Sequence, residues 1–296
     1  MPKKKKQLHN FRIAGCVSAY RRTQIFQHVY PDVLMPLHVN FTAIERAVME
    51  CASAGVDSIW VTVPREHLSL VRKVLGDYVY DPVFLYNFRK KRFSHDYIKR
   101  IPIFYCPMRI RDIGLKDSEP FGIINSALCA KRFASKLTKN LEPSMFYVAF
   151  HDGIYHPFVA ATNRPLINTE QNFYYSFEGK SFKDGEPLGF TFSNQQLIDC
   201  HEFVRHKGTK KYRPISEFKT SGEWLELLPK EERYSATKFT VDKVFDKVII
   251  DNANEYKLKW FYNINDWQAY RKYIGSHCTL RRPKKMLCPP NNLERM

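Results

Sequence analysis

The sequence predicts an α/β domain, a mostly parallel β-sheet flanked by helices. Three observations predict it. Apolar runs of strand length recur at Arg12–Ser18, Val56–Val63, Ile101–Tyr105 and Met145–Phe150. Segments with helical spacing stand between the first of these runs. Strand, helix, strand and helix then follow one another within residues 12–76, a βαβ pattern that calls for parallel strands joined by crossovers.

Each element has its own local cause. Thr42 and Glu45 have the S/T-x-x-E spacing of a capping box, so a helix starts there. Ile44, Ala47, Val48 and Cys51 follow on one helical face, and Gly55 sits where a left-handed C-terminal cap belongs. Val56–Val63 is β-branched with one Trp, which suits a strand covered on both faces. Pro64 opens a second helix with Leu68, Val71 and Leu75 on one side, ending at Gly76. Ile101–Tyr105 and Met145–Phe150 are the next strands, with a helix over 123–137 between them. Met145–Phe150 runs directly into His151-Asp152-Gly153. Beyond it the pattern loosens into short strands and turns, for example at Lys183-Asp184-Gly185; 195–205 reads as helical, 238–250 as mixed, and Trp267–Ile274 as a last short helix. The simplest parse is one α/β domain over residues 10–275, with a basic arm at 1–9 and a basic, proline-containing tail at 276–296.

Composition narrows the classes. The 296 residues are 44% hydrophobic and 26% charged, an ordinary globular balance with ample core material. No apolar run approaches the roughly 18 residues of a membrane span, and no apolar segment of a secretory leader follows the first lysines. Seven dispersed cysteines, with no CxxC pair, argue against a disulfide framework or structural zinc and for reduced thiols in a cytoplasm.

The formal net charge of +17 is local. Residues 1–22 hold +7, residues 86–111 hold +7 and residues 271–296 hold +6, so the remainder is close to neutral. Arg89, Lys90, Lys91 and Arg92 stand among Tyr86, Phe88, Phe93 and Tyr97, and Arg281, Arg282, Lys284 and Lys285 cluster near the C-terminus. Cations interleaved with aromatics suit phosphate neutralisation with base stacking, which makes nucleic acid the expected polyanion. Solvated tails and one exposed loop are the plainer alternative.

Several site motifs are missing. Neither GxxxxGK[ST] nor GxGxxG occurs, which excludes a P-loop enzyme and the usual dinucleotide fingerprint. His201 and His206 are five apart, so a helix points them to different faces and they do not share a zinc. Asp152 is the strongest chemical candidate. It directly follows a strand, and ligands of open parallel sheets sit at the carboxyl ends of strands. A carboxylate there can hold a divalent metal that bridges nucleotide phosphates; it can also simply cap the turn before Gly153.

The succession of elements resembles the nucleotidyltransferase family that makes sugar nucleotides, related in fold to GT-A glycosyltransferases. The matching pieces are Ala43–Val48 with Ala54–Val63, Pro31–Leu37, Phe121–Ala127, Phe150–Gly153 and Lys259–Tyr270. They occur in the family's order across about residues 10–275. The resemblance implies a Rossmann-like fold of the nucleotidyltransferase/GT-A type. It also implies a nucleotide or sugar-nucleotide ligand and a divalent metal, magnesium or manganese. On the matching positions it makes Asp152 the first metal carboxylate, places Asn263 at the second, and leaves Asp266 to substitute for it. Gly15 and Ser18 fall in a reduced Gly-rich loop, with Arg21 and Arg22 as its phosphate contacts and catalytic cations. Gly122 and Asn125 fall in the base- and sugar-contacting turn. The loop keeps one glycine, Asp32 stands where the family has a lysine, and Asn263 is neutral where the family has a carboxylate. The resemblance and these departures together imply a divergent nucleotidyl- or glycosyltransferase with nucleic acid as a possible acceptor. The alternatives are a nucleotidyltransferase scaffold that binds nucleic acid without catalysis, and an assembly component.

Overall fold

The structure, a computed structural model of the chain, describes residues 13–19, 31–83, 99–108, 143–169, 171–193, 253–276 and 280. The expected helices over 123–137 and 195–205, the mixed segment 238–250 and most of both basic ends lie outside the described residues.

Strand β1 (Ile13–Ser18) is followed by a 3-10 turn at Asp32–Leu34 and a hairpin of β2 (Pro36–His38) and β3 (Phe41–Thr42). Helix α1 (Ala43–Ala54) begins with the expected capping box: Glu45 N donates to Thr42 Oγ1 at 3.4 Å, and Thr42 N donates to Glu45 Oε2 at 2.8 Å. It ends at Gly55, whose φ of 87° is the left-handed conformation glycine adopts without strain. Strand β4 (Ser58–Pro64) leads through a 3-10 turn (Arg65–His67) into α2 (Leu68–Leu75). The second helix therefore starts a turn later than Pro64, because Pro64 keeps an extended backbone (ψ 140°) at the end of β4.

The remaining elements are β5 (Tyr78–Tyr80), β6 (Arg100–Met108), β7 (Met145–Phe150), β8 (Gly153–Ile154), α3 (Val159–Thr162) and α4 (Arg164–Ile167). They continue with β9 (Phe173–Phe177), β10 (Lys180–Ser181), β11 (Phe190–Ser193), β12 (Asn254–Lys257), β13 (Tyr262–Asn263) and α5 (Trp267–Ile274).

The main sheet runs β10-β9-β11-β7-β1-β4-β6-β5, with β12 alongside β9. Its centre is parallel: β7, β1, β4 and β6 all point the same way. Antiparallel strands flank it, β5 against β6 on one side and β11 then β9 on the other. This is the predicted α/β class with a mixed periphery.

Alternation along the strands sorts the side chains by face. Ile13, Val17, Ile59, Val61 and Tyr147 join the main core with Ile44, Val48 and Cys51 of α1 and Val71 and Leu75 of α2. Gly15 lies on the same face. A Cβ there would come within 2.9 Å of Cys51 Cβ, so its missing side chain lets α1 press onto β1. The other face carries aromatics: Trp60 stacks on Phe104 with centroids 4.4 Å apart, and Phe146 on Phe192 at 5.1 Å.

A second core joins the two ends of the described chain. Met35, Leu37 and Phe41 pack with Ile154, Ile264 and Tyr273. Tyr270 Oη donates to Pro36 O at 2.6 Å and Tyr273 Oη to Leu37 O at 3.2 Å, fastening α5 onto β2. Leu280, inside the stretch expected to form a tail, is buried there, and its N–H donates to Tyr273 Oη at 3.3 Å. Among the described residues the cysteines Cys16, Cys51 and Cys106 are buried, and no helix is long and apolar enough to cross a membrane.

Candidate functional site

Strand order locates the site. The parallel strands follow the chain outward as β1, β4 and β6, and the next one, β7, returns to the opposite side of β1. The direction of winding thus reverses between β1 and β7, and a crevice opens at the carboxyl ends of strands where that happens. The two strands end level, with Ser18 opposite Phe150. His151 and Asp152 come next and are both buried, 3% and 7% exposed. The structure therefore places Asp152 at the switch point, beside the end of the strand that leads to residues 20–22.

A small antiparallel ribbon fixes the backbone on either side of Asp152. Gly153 pairs with Asn263 and Ile154 with Tyr262, and Ile264 N donates to Asp152 O at 2.9 Å. Asp152 and Asn263, 111 residues apart in the chain, come to neighbouring positions of this ribbon. Directly opposed residues of an antiparallel pair share a face. Asn263 and Gly153 accordingly look toward the segment Glu186-Pro187. Asn263 Nδ2 donates to Glu186 Oε2 at 2.9 Å, while Asn263 Oδ1 is buried with no hydrogen-bond partner. A Cβ on Gly153 would lie 1.8 Å from Pro187 O, so only glycine allows this approach. Asp266 stands three residues beyond Asn263 as the N-cap of α5, where its Oδ1 accepts from Ala269 N at 2.8 Å. Asp266 is exposed.

Beneath the ribbon lies a charged cluster. All of α1 is buried, including Arg46 and Glu50, which pair at 2.6 Å. Arg46 Nη1 donates to Phe150 O at 3.0 Å and Nε to Tyr155 O at 3.2 Å, and the guanidinium lies 4.1 Å over the Tyr155 ring. Glu50 Oε1 accepts from Tyr147 Oη at 2.5 Å and from Tyr155 Oη. Burial opposes the Arg46 charge, yet Glu50, with Tyr155 and Tyr147, raises its pKa. Burial, then the Glu50 carboxylate, pushes both tyrosines well up, so they stay neutral donors. His156, just past the cluster, is held below the usual imidazole range by burial and by Arg46.

Of the residues singled out in the sequence, Gly15 sits mid-strand facing α1, and Ser18 ends β1. Arg21, Arg22, Gly122, Asn125, Arg89–Arg92, Arg281, Arg282, Lys284 and Lys285 lie outside the described residues. Sequence reasoning missed Glu186, Arg46 and Glu50. Only the last two left a signal, opposite charges at i and i+4 amid small and apolar residues. Among the described residues no group of three or more His, Cys, Asp or Glu side chains is placed to hold a metal.

No family model and no curated protein matches the chain. Solved structures do. A Bacillus anthracis protein described as a glucose-1-phosphate thymidylyltransferase, solved with a sucrose, has a TM-score of 0.53 at 10% identity, over 92% of this chain and 98% of its own. A UDP-glucose pyrophosphorylase solved with UDP-glucose gives 0.47 at 14% identity, over 89% and 97%. The Mycobacterium tuberculosis protein Rv0371c, solved with manganese, gives 0.47 at 12%, over 90% and 100%. At such identities the likeness is one of architecture, and the first of these carries it: the chain has a Rossmann-like α/β fold of the nucleotidyltransferase/GT-A type.

Proposed function

We propose that the chain is a divergent nucleotide- or sugar-nucleotide-dependent transferase, working at the carboxyl ends of β1 and β7. The observation that carries this reading is the seating of Asp152 at the switch point, on the ribbon that also holds Asn263 and its unpaired, buried Oδ1. A divalent cation such as Mg²⁺ or Mn²⁺ suits these donors. Both are hard oxygens, and Mg²⁺ is commonly bound by one or two protein oxygens with ligand phosphates and water completing the shell. Asp152 would hold it, with Asp266 or Asn263 as the second oxygen; in the ribbon Asn263 shares its face with Gly153 rather than with Asp152. The bond from Asn263 Nδ2 to Glu186 commits the nitrogen end of the carboxamide and leaves the buried Oδ1 as its remaining acceptor. Bound there, the metal supplies charge neutralisation and orientation for a di- or triphosphate.

The rest of the assignment rests on the sequence. Ser18, with Gly122 and Asn125, serves the nucleotide and Arg21 and Arg22 its phosphates, while Gly15, expected in the same loop, seats α1 on β1. Phosphoryl-type transfer depends mainly on positioning and electrostatic stabilisation. With Asp32 where a lysine is expected, these arginines carry the cationic share.

A thermal-shift screen with nucleoside triphosphates and sugar nucleotides, with and without Mg²⁺ or Mn²⁺, tests the reading. A ligand at a hundred times its dissociation constant stabilises by about 2.7 kcal/mol. We expect a metal-dependent shift with one ligand class, lost in Asp152→Asn with the unliganded melting temperature kept. An undiminished shift in that variant refutes the role of Asp152.

Nucleic-acid binding is a second reading with one observation in its favour. The exposed Arg100, which belongs by sequence to the basic, aromatic stretch 86–111, lies 4.9 Å over the Tyr78 ring and 5.9 Å over the Tyr80 ring, where β5 pairs with β6 at the sheet edge. An oligonucleotide arm in the same screen separates the two. A shift with oligonucleotide and none with any nucleotide selects binding without transfer.

A further inference from the structure

Arg46 does more than neutralise Glu50. Its guanidinium donates to Phe150 O, the last residue before His151–Ile154, and to Tyr155 O, the first residue after it. One buried fork thus grips both ends of the short segment that carries Asp152 and Gly153. The grip is itself held. Nη2 is fixed by Glu50 Oε2 at 2.6 Å, and Glu50 Oε1 is fixed by the hydroxyls of Tyr147 and Tyr155. Gly189 N donates to Tyr155 Oη at 3.3 Å, and a Cβ on Gly189 would fall 2.6 Å from Glu50 Oε1. Strand β7, helix α1 and the lead into β11 therefore close around the same two carbonyls.

Stability alone gives little reason for such a device. Taking two charges out of water costs several kcal/mol each, and well-packed apolar replacements of buried ion pairs are often neutral or stabilising. What an apolar side chain cannot do is span two carbonyls five residues apart, which needs the planar, multi-donor guanidinium. We infer that Arg46 is a positioning residue for Asp152, holding the segment His151–Ile154 in one conformation at the switch point. The inference rests on the reading of Asp152 as a metal carboxylate, and it deepens that reading.

The test uses the full chain as wild type, as the double variant Arg46→Met/Glu50→Gln, and as Arg46→Lys. The double variant removes both charges together, so no buried charge is left alone, and it keeps an acceptor for the two tyrosines. Arg46→Lys keeps the charge and loses the fork, and it carries the comparison if the double variant fails to fold. Two measurements are made: amide hydrogen exchange over residues 151–155 with Ser58–Pro64 as internal reference, and Mn²⁺ affinity from the paramagnetic resonance of free Mn²⁺. We expect exchange in 151–155 to rise about tenfold or more with the reference strand unchanged, as in a local opening. Mn²⁺ affinity is expected to fall about tenfold, as when an outer partner of a metal ligand is lost. Unchanged exchange in 151–155, or an equal rise in Ser58–Pro64, overturns the inference, because Arg46 is then structural only. A wild type that takes up no Mn²⁺ refutes the metal reading instead, and the exchange comparison still decides whether Arg46 holds the segment.

Discussion

Replacing Gly153 by alanine tests the ribbon directly. The new Cβ would sit 1.8 Å from the carbonyl oxygen of Pro187, and Cβ atoms essentially never come closer than 3.0 Å to another heavy atom. The obstacle is backbone, so the gap of 1.2 Å between those two distances must be opened by moving a strand or the segment Glu186-Pro187. Either movement pulls Glu186 from Asn263, whose bond is 2.9 Å long. Overpacking of this kind costs roughly 1–3 kcal/mol and a lost hydrogen bond about 1 kcal/mol, so the sum is about 3 kcal/mol. For a chain of 296 residues, with an unfolding entropy of about 2.1 cal/mol/K per residue, that is a fall in melting temperature of about 5 °C. Gly179→Ala is the control. Gly179 has a φ of 76° and nothing within 4 Å of a new Cβ, so the only cost is left-handed backbone, about 1 kcal/mol. Thermal melts of the two variants, with Glu186→Ala alone and combined with Gly153→Ala, complete the measurement. The costs at 153 and 186 are expected to be less than additive, since the clash already breaks the bond that Glu186→Ala removes. A Gly153→Ala melt no lower than that of Gly179→Ala refutes the close approach and the fixed orientation of Asn263 derived from it.

Two further outcomes are expected from charged groups. Arg164 closes the end of α1, donating to Ser53 O at 3.2 Å and Ala52 O at 3.1 Å while holding both oxygens of Asp81 at 2.9 Å. Asp81 is almost wholly buried, so Arg164→Met takes a guanidinium away from a buried carboxylate and is expected to destabilise by about 3 kcal/mol in a urea titration, with Asp81→Asn recovering part of the loss. His156 has its pKa depressed in the folded chain by burial and by Arg46. The folded state then binds fewer protons than the unfolded one. The contribution of His156 is full above its unfolded value of about 6.5 and is lost as pH falls through the lower folded value. Urea midpoints of the wild type and His156→Gln are expected to converge toward acid pH, and a constant difference from pH 7.5 to 5 contradicts this.

The parts of the fold that were legible in the sequence are those whose cause is local. The Thr42–Glu45 box, the left-handed Gly55 and the limits of Trp267–Ile274 all appear as read, because each depends on residues within a turn of one another. The three-residue β5, the β2–β3 hairpin and β12 were not read. They are two to four residues long; β5 and β12 exist only through partners far along the chain, such as Tyr174 for Glu255, and the β2–β3 hairpin is too short to show a strand period. Helix α1 was read as having one apolar face and is buried on all sides, because Arg46 and Glu50 satisfy each other and the surrounding carbonyls and hydroxyls. In the candidate site, Asp152 was legible because it follows the apolar run Met145–Phe150 at the carboxyl end of a strand. Glu186 was not, because its contact with Asn263 spans 77 positions and no spacing rule reaches that far.

The constraints on this chain fall unevenly, and their distribution bears on function. Arg46 ties down Phe150 O and Tyr155 O, Pro187 O presses on Gly153, Ile264 N holds Asp152 O, and Glu186 orients the carboxamide opposite Gly153. Four contacts from three segments thus act on His151–Ile154 and its partner strand. Each device has a cost, in desolvated charge for the ion pair and in an unpaired buried oxygen for Asn263. Well-packed apolar side chains are often as stabilising as a buried ion pair. Groups that must meet a ligand in one geometry do need such support, because a catalytic or metal-binding constellation depends on a shell that fixes its side chains. These costs are concentrated beside the carboxyl ends of β1 and β7, where the strand order alone places a ligand crevice. Topology and local restraint are independent properties of the chain, and both select the same few residues around Asp152.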